Sequence, residues 1–386
     1  MAIQIRLDAP TPYDLTRQLR FEEAKPGETM GVRPDFWPPE WHPQSGVIIT
    51  WPHAATDWAP VLPEVTRCYV HLAIEIALRE RLLIVTPEPE TLEHFLREQL
   101  PQNALANISL HRIPTNDTWT RDHGPLCLLT ERGVRLMDFC FNGWGEKFPA
   151  ELDNAITRQL WDEGIFNGEY EDHLDFVLEG GSVESDGQGT LLTTTHCLTA
   201  PHRNQPLSQA DIELRLLHYF RAQRILWLDH GYLAGDDTDS HIDTLARFCA
   251  PETIAYVKCT DPTDEHYEEL SKMEEQLREF RTLWGEPYSF VPLPMPQPCY
   301  DNSGCRLPAT YANFLIINGA VLMPTYGQPT IDKAAQAQLQ QAFPRHEIVP
   351  IDCRTLILQH GSLHCSAMQL PQGALRSKPQ DTKENQ

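Results

Sequence analysis

Residues 116–125 bring charged side chains and a tryptophan together, in the order Asn-Asp-Thr-Trp-Thr-Arg-Asp-His-Gly-Pro. Because Gly-Pro interrupts regular structure, we expect a loop or strand end that presents polar groups such as Asp122, rather than a helix. A salt-bridged loop without function would have the same composition. Further polar clusters along the chain bear on the choice between these two interpretations.

Two clusters in the middle of the chain carry side chains suited to acid–base chemistry. Residues 178–182 read Leu-Glu-Gly-Gly-Ser, and the paired glycines after Glu179 let the backbone turn tightly or admit a ligand. Residues 239–243 read Asp-Ser-His-Ile-Asp. In an extended segment, His241 and Asp243 project to the same face, which suits an acid/base group beside an anchoring carboxylate.

The last cluster, residues 360–365, reads His-Gly-Ser-Leu-His-Cys. Cys365 is the best candidate nucleophile because a histidine adjoins it, although a simply buried thiol is the alternative. The chain has ten cysteines and no Cys-x-x-Cys pair. This usage is typical of a reducing cytoplasm, where most cysteines are buried thiols.

The net charge and the lengths of the apolar stretches indicate which kinds of partner the protein can have. The 386 residues include 31 basic and 54 acidic ones, for a net charge of -23. That balance argues against nucleic acid or an anionic membrane surface as a partner and suits a small cationic substrate. The first ten residues do not resemble a signal peptide, and no apolar stretch approaches the ~20 residues of a membrane span. We therefore predict a cytoplasmic protein.

Short strands alternate with helices along the chain, which predicts an α/β fold but does not distinguish an open sheet from a closed ring. Strand pairs separated by single helices recur about five times. Helices are predicted at 65–76, 90–100, 209–221, 265–281 and 331–343. Strands are predicted at 47–51, 83–86, 108–113, 134–139, 174–178, 189–194, 225–228, 254–258, 314–317, 321–323 and 348–351. Residues 292–298, in which every second residue is proline, are predicted to be a loop or an edge segment.

Composition divides the chain into three parts. Residues 1–36 are mostly polar and are predicted to be an extended or loosely docked lead-in. Residues 37–370 are predicted to be a single folded domain. Residues 371–386 are polar and lack aromatic residues, so we predict a disordered tail.

Taken in order, Trp-x-Arg-Asp-x-Gly-Pro, Glu-Gly-Gly-Ser, His-x-Asp and a late His-Cys resemble the agmatine deiminase and bacterial peptidylarginine deiminase family. Supporting matches are Trp41, Trp51-Pro52, Phe-Asn-Gly-Trp-Gly at 141–145 and Tyr-Ala-Asn-Phe at 311–314. The resemblance spans roughly residues 37–370. It implies a five-bladed, pseudo-symmetric α/β propeller of ββαβ units, the pentein fold, with the site on its axis.

The resemblance also implies a role for each motif. Cys365 corresponds to the nucleophile and His241 to the general acid and base. Asp122 and Asp243 correspond to carboxylates that grip a guanidinium group, and Glu179 to a glutamate beside the histidine. The expected reaction needs no metal or organic cofactor, and the resemblance suggests a homodimer or larger assembly. Trp119 is expected either to wall the slot for the substrate's aliphatic chain or to be structural.

The predicted function is hydrolysis of agmatine to N-carbamoylputrescine and ammonia, on the route to putrescine. Deimination of peptidyl or free arginine is the alternative within the same chemistry, because residues 359–363 depart from the glycine-rich run of agmatine-specific members. A deiminase-fold binding protein without activity is a further alternative.

A metal-dependent ureohydrolase is also considered, because Asp-x-His-x-Asp at 239–243 is half of a binuclear manganese site. Such enzymes need a second Asp-x-Asp-x-x-Asp cluster, whereas the nearest later stretch, Asp261-Pro-Thr-Asp264, lacks that spacing. His360 and His364 could be two ligands on a helix, but Gly361 argues against a helix there. We therefore predict no metal.

Overall fold

The computed structural model describes residues 35–377, and within them the strands form five sheets and one short hairpin. The strands of the five sheets, named sheets 1 to 5, and of the hairpin are as follows. Sheet 1 contains Gln44–Thr50, Arg81–Thr86, Ile108–Arg112 and Ala367–Pro371, and sheet 2 contains Asp35–Phe36, Leu126–Thr130, Gly133–Cys140 and Glu169–Val177. Sheet 3 contains Val183–Ser185, Thr190–Thr194 and Arg224–Leu228, and sheet 4 contains Ala246–Ala250, Thr253–Lys258 and Ser289–Pro294. Sheet 5 contains Leu315–Ile317, Ala320–Thr325 and Glu347–Asp352, and the hairpin contains Cys299–Tyr300 and Arg306–Leu307.

The five sheets share one pattern of connection. In each, an antiparallel pair is followed by a helix and then by a strand parallel to the second one, since parallel neighbours need a crossover. The crossover helices are Leu62–Ala77, Ile156–Asp162, Gln209–Tyr219, Tyr267–Glu279 and Pro329–Ala342. In sheet 1 the antiparallel partner is the last strand of the chain, which pairs Ala367 with Ile49. The α/β prediction is confirmed.

The crossover helices form where apolar residues recur with helical spacing. In Leu62–Ala77, the predicted face of Val65, Tyr69, Leu72 and Ile76 is fully buried, and a proline occupies the first turn, where no backbone N–H is needed. The other helices are Pro89–Gln99 and the single turns Gln102–Leu105, Thr120–His123, Gly143–Glu146 and Thr195–Leu198. None of the helices in residues 35–377 has the length and apolar character that crossing a bilayer requires.

Most predicted strands are present, but in four sheets the antiparallel partner of the strand before the crossover helix was not predicted. The missed strands include Leu126–Thr130, Val183–Ser185, Ala246–Ala250 and Ala367–Pro371. Each is short and nearly buried along its whole length, so it shows no alternation of polar and apolar residues. Ser289–Pro294 contains two of the alternating prolines and lies at the edge of sheet 4, where a strand tolerates the loss of backbone donors.

The predicted ends of the folded domain need adjustment. Residues 1–34 of the predicted lead-in lie outside the described residues, while Asp35 and Phe36 pair with residues 130 and 129 of sheet 2. At the other end, Pro371 belongs to sheet 1, and Ala374 and Leu375 are buried. The folded part therefore continues past residue 370, to residue 375 at least. Residues 378–386 of the predicted tail lie outside the described residues.

Candidate active site

The predicted site residues all lie on the connections that lead from one sheet to the next. Each of four site residues stands two to four residues before a strand of the antiparallel pair in its sheet: Asp122 before Leu126–Thr130, Glu179 before Val183–Ser185, Asp243 before Ala246–Ala250 and Cys365 before Ala367–Pro371. Asn313 has the equivalent place before sheet 5. The repeated unit thus brings each of the five connections to the same site.

Asp122 lies in one turn of helix, Thr120–His123, which corrects the prediction of a loop or strand end. Its Oδ1 accepts a hydrogen bond of 2.9 Å from the Gly181 backbone N–H, and its Oδ2 accepts one of 3.0 Å from Trp144 Nε1. Burial raises the pKa of Asp122 to about 6, although the charge of His241 opposes the rise. The carboxylate is therefore fixed in direction but close to neutral at mildly acidic pH.

Gly181, in the turn Gly180–Ser182, is surrounded by three of the predicted site residues. A Cβ atom on Gly181 would lie 2.8 Å from His241 Nδ1, 2.9 Å from Asp122 Oδ1 and 3.0 Å from Asp243 Oδ2. Real Cβ atoms do not approach this closely, so only glycine allows the three groups to converge.

We therefore expect Gly181→Ala to lower kcat/KM by roughly 100-fold, because displacing aligned groups by about 1 Å has an effect of that size. The free energy of unfolding should fall by no more than about 3 kcal/mol, the range for overpacking a core. Steady-state kinetics and urea unfolding of the same preparation test this. A variant that keeps wild-type kcat/KM would show that the three groups do not need their present spacing.

His241 is fully buried, and among residues 35–377 its ring forms a hydrogen bond with the Cys197 thiol but with no nitrogen or oxygen atom. Its Nδ1 lies 3.7 Å from Asp122 Oδ1. Burial lowers the pKa of His241, but the charges of Asp122, Cys197 and Glu179 outweigh it and raise that pKa well above its usual value. The imidazolium is thus available as an acid at neutral pH.

The segment around His241 is not extended, which corrects the predicted reason for its proximity to Asp243. Residues Ile242–Thr244 form a turn of 3-10 helix that begins just after His241. The turn, not the alternation of a strand, directs both side chains toward Gly181.

Asp243 is held by two polar side chains of other connections. Its Oδ2 lies 2.7 Å from His364 Nδ1 and accepts a hydrogen bond of 3.2 Å from Asn313 Nδ2, while its Oδ1 is buried without a partner in the described chain. Burial raises the pKa of Asp243, but the hydrogen bond and charge of His364 outweigh it and lower that pKa. His364 Nε2 in turn lies 2.6 Å from Glu40 Oε1. Asp243 is therefore ionised and presents one free oxygen.

The thiol of Cys365 faces Asp243 and Asn313. Its Sγ lies 3.6 Å from Asp243 Oδ2 and 3.3 Å from Asn313 Nδ2, and the side chain is 5% exposed. Burial, and then the negative charges of Asp243 and Asp122, raise the pKa of the Cys365 thiol well above its ordinary value. The free protein therefore holds a thiol here, and a bound cation between the carboxylates would favour the thiolate.

Glu179 is fully buried and binds Arg203, whose Nε donates to Glu179 Oε1 at 3.0 Å. A carboxylate oxygen of Glu179 also lies within 4.8 Å of a His241 ring nitrogen, as the resemblance implied. Arg203 also donates a hydrogen bond of 2.7 Å from Nη1 to Asp239 Oδ2, and Lys147 donates to the same oxygen. Asp239 Oδ2 is thus bound by Arg203 and Lys147. This carboxylate is one of the ligands that the manganese site of a ureohydrolase would need from Asp-x-His-x-Asp.

A cavity of about 200 Å³ reaches Asp122 and Cys365 from the surface. Trp119, Trp144 and Phe148 give it aromatic walls. Gly361 packs against Trp119 so closely that a Cβ atom would lie 2.3 Å from Cζ3 of the indole. The three carboxylates that line the cavity besides Asp122 belong to Asp57, Asp117 and Asp237.

Sequence reasoning gave no role to several residues that complete the site. Asn313 and Trp144 occur in segments that supported the resemblance, but hydrogen bonds to Cys365 and Asp122 emerge only from the fold. Glu40 is flanked by Trp37-Pro38-Pro39 and Trp41, which predicted only the start of ordered structure. Its carboxylate binds His364, Arg247 and Arg121. No spacing in the sequence signals the contacts of Glu40, since each of its three partners is more than 80 residues away in the chain.

Comparison with known proteins gives one consistent relationship. The family described as "Porphyromonas-type peptidyl-arginine deiminase" matches residues 36–371. The agmatine deiminase of Pseudomonas aeruginosa (strain LESB58) is 32% identical over 357 residues, which cover 86% of this chain and 95% of that protein. These matches span nearly all of the folded part.

Two solved structures are also similar over most of the chain. The agmatine deiminase of C. jejuni with substrate bound is 37% identical, with a TM-score of 0.81, over 89% of this chain and 97% of that one. A Porphyromonas gingivalis protein, provisionally assigned as an arginine deiminase, is 50% identical, with a TM-score of 0.84, over 89% and 100%.

Proposed function

Since the chain belongs to the Porphyromonas-type peptidyl-arginine deiminase family, we propose that it hydrolyses agmatine to N-carbamoylputrescine and ammonia. The observation that carries the proposal is the placement of a buried thiol at 3.6 Å from Asp243, in a cavity that Asp122 also lines. A guanidinium plane between two carboxylates would present its carbon to Cys365. Relatives named as agmatine deiminases support this substrate.

The charge of the cavity mouth favours agmatine over free arginine. Asp57, Asp117 and Asp237 line the cavity, and the described lining includes neither lysine nor arginine. Agmatine carries an ammonium group at the end opposite its guanidinium, which these carboxylates would attract. Free arginine carries a carboxylate as well, and placing it beside like charges costs several kcal/mol. Residues 359–361 belong to the run that differs from agmatine-specific members, and they line this same cavity. The cavity is acidic even with these differences, because the three carboxylates line it.

The first half of the reaction forms a covalent intermediate. Asp122 and Asp243 accept N–H bonds from the guanidinium and hold it in plane. The cation offsets the two carboxylates, Cys365 loses its proton to solvent, and the thiolate attacks the guanidinium carbon. Protonated His241 donates its proton to one nitrogen, and the C–N bond breaks to release ammonia. The product of this half is an amidino-thioether on Cys365, with His241 neutral.

The second half returns the enzyme to its starting state. Neutral His241 takes one proton from a water molecule that attacks the amidino carbon. The C–S bond then breaks, and the remaining proton of the water leaves with ammonia as ammonium. The ureido product departs, and the Cys365 thiolate takes a proton from solvent to become the thiol of the free protein. Because His241 both gives and regains one proton, each turnover leaves it protonated.

The proposal is tested by supplying agmatine, free arginine and an arginine peptide separately, with chelator present, and by assaying ammonia and urea. We expect ammonia, and a kcat/KM for agmatine at least ~100-fold above that for arginine, equivalent to about 2.7 kcal/mol. A preference for the peptide would instead establish a peptidylarginine deiminase. Urea, or loss of activity with chelator, would establish a ureohydrolase.

Activity should depend on pH through the carboxylates. Burial raises the pKa of Asp122, Asp117 and Asp237 to about 6 in each case. These groups are ionised above that pH and become neutral below it, so we expect kcat/KM for agmatine to fall as pH decreases through about 6. A pH series at constant ionic strength measures this. Asp237→Asn should make the acidic limb less steep, and an unchanged limb would remove Asp237 from agmatine binding.

The five sheets support a closed arrangement around the site. Each sheet has the same order of strands and helix, and the five connections hold side chains or backbone groups that contact Asp122 or Cys365 or are these residues. In sheet 1, Gln44–Thr50 from the start of the described chain pairs with Ala367–Pro371 from its end, so this sheet joins the two ends of the described chain. We propose that the sheets are the blades of a five-bladed propeller with the cavity on its axis.

A further inference from the structure

Two short stretches of strained backbone lie beside the proposed site. Asp239 and Ser240, just before His241, have φ angles of 67° and 66°, in the left-handed region. Trp144 and Glu146, in a turn beside the cavity, have φ angles of 57° and 65°. Such angles are costly for residues other than glycine and persist only where the surroundings hold them. Contacts that hold both stretches are therefore candidates for a part in the reaction.

The strained turn before the proposed general acid is held by charged side chains. Arg203 Nη1 and Lys147 Nζ donate hydrogen bonds of 2.7 Å and 2.8 Å to Asp239 Oδ2. The backbone N–H of Ser240 donates a hydrogen bond of 2.7 Å to Asp236 Oδ2. Asp239 is thus held from outside the turn by two cations, while Ser240 is held from within it.

Lys147 also belongs to the other strained stretch, which it directly follows. Its Nζ donates a second hydrogen bond, of 2.6 Å, to the backbone carbonyl oxygen of Asp237, which lines the cavity. The turn that precedes Lys147 carries Trp144, whose Nε1 donates to Asp122 Oδ2 at 3.0 Å. One ammonium group therefore joins the segment that supports Asp122 to the segment that carries His241.

We propose that Lys147 is a positioning residue, which holds the strained turn at residues 239 and 240 so that His241 faces the bound guanidinium beside Asp122. The inference rests on the proposed function, because it deepens the role of His241 in that reaction. Lys147 lies outside the described lining of the cavity, and its side chain is 36% exposed, so it acts through the turn and not on the substrate. Without it the turn relaxes, and the distance of 3.7 Å between His241 Nδ1 and Asp122 Oδ1 increases.

Lys147→Met should therefore lower kcat without raising KM. A misplacement of about 1 Å lowers turnover by up to ~100-fold, so we expect kcat to fall by at least ~10-fold. The removed charge is positive and lies near the carboxylates that would attract agmatine, so KM should not rise. Lys147→Arg keeps the charge and should retain most of kcat. Lys272→Met is the matched control, because Lys272 is 41% exposed and binds two glutamates of the helix Tyr267–Glu279.

The pKa of His241, measured by NMR on protein with labelled histidines, separates failure of this inference from failure of the proposed function. Burial lowers that pKa, but three neighbouring charges raise it well above its usual value. It should fall toward the usual value in Lys147→Met and stay high in Lys272→Met, whether or not agmatine is turned over. The signal of His241 is the one that His241→Gln lacks.

Urea unfolding shows that each variant is folded, and Lys147→Gln replaces Lys147→Met if the latter unfolds. The inference is overturned if Lys147→Met keeps the high pKa of His241, or keeps kcat while KM rises. A fall of this pKa in a protein that does not turn over agmatine would support the positioning role and refute the proposed function alone.

Discussion

Cys365→Ser should lower kcat by about 10⁴-fold or more, because removal of a nucleophile abolishes the covalent route and leaves only binding and orientation. A serine hydroxyl is far less acidic than the thiol and would not ionise beside Asp243, which lies 3.6 Å from Sγ. Agmatine should still bind, since Asp122 and Asp243 are untouched. Isothermal titration with the variant and steady-state ammonia release measure the two effects separately.

A covalent intermediate distinguishes this prediction from a simple loss of structure. Acid-quenched samples of the unmodified protein should carry an amidino group on Cys365 by peptide mass spectrometry, and Cys365→Ser should carry none. Cys305→Ser is the matched control, because its thiol is exposed and lies on the hairpin outside the cavity lining. Turnover by Cys365→Ser near the normal rate would refute the assignment of the nucleophile.

His241→Ala should lower kcat by roughly 10²- to 10⁴-fold, the contribution of a positioned general acid and base. Without an acid, ammonia would have to leave as an amide ion, so the first half of the reaction should slow and the amidino adduct should not accumulate. Asp122 loses the positive charge at 3.7 Å that lowers its pKa, so its acidic limb should shift to higher pH. Rapid-quench kinetics at several pH values test both expectations.

His123 provides the matched control for His241. It is also buried, and neither of its ring nitrogens has a partner in the described chain, but burial lowers its pKa to about 3, so it is neutral and cannot serve as an acid. His123→Ala should therefore reduce stability while preserving most of kcat. Partial recovery of His241→Ala by added imidazole would support the proton-transfer role, and normal activity in His241→Ala would contradict it.

The sequence by itself determined which side chains are available for chemistry. The α/β class, four of the five crossover helices and the candidates Asp122, Glu179, His241, Asp243 and Cys365 followed from local periodicity, turn residues and motif order, whereas the seven-residue crossover helix Ile156–Asp162 was not predicted. These signals are readable because each depends on residues close together in the chain. The same signals failed at strands such as Ala246–Ala250 and Ala367–Pro371. There the burial of nearly every residue removes the polar alternation that marks a strand.

Only the tertiary structure decided how those side chains act together. The spacing of His241, Asp122 and Asp243 depends on Gly181 having no side chain, and Asn313, Trp144 and Glu40 reach the site from other segments of the chain. The pairing of Glu179 with Arg203, and the proximity of Cys197 to His241, are likewise invisible in the sequence. The physical reason is that burial and neighbouring charge set protonation and direction, and both arise only when distant segments pack together.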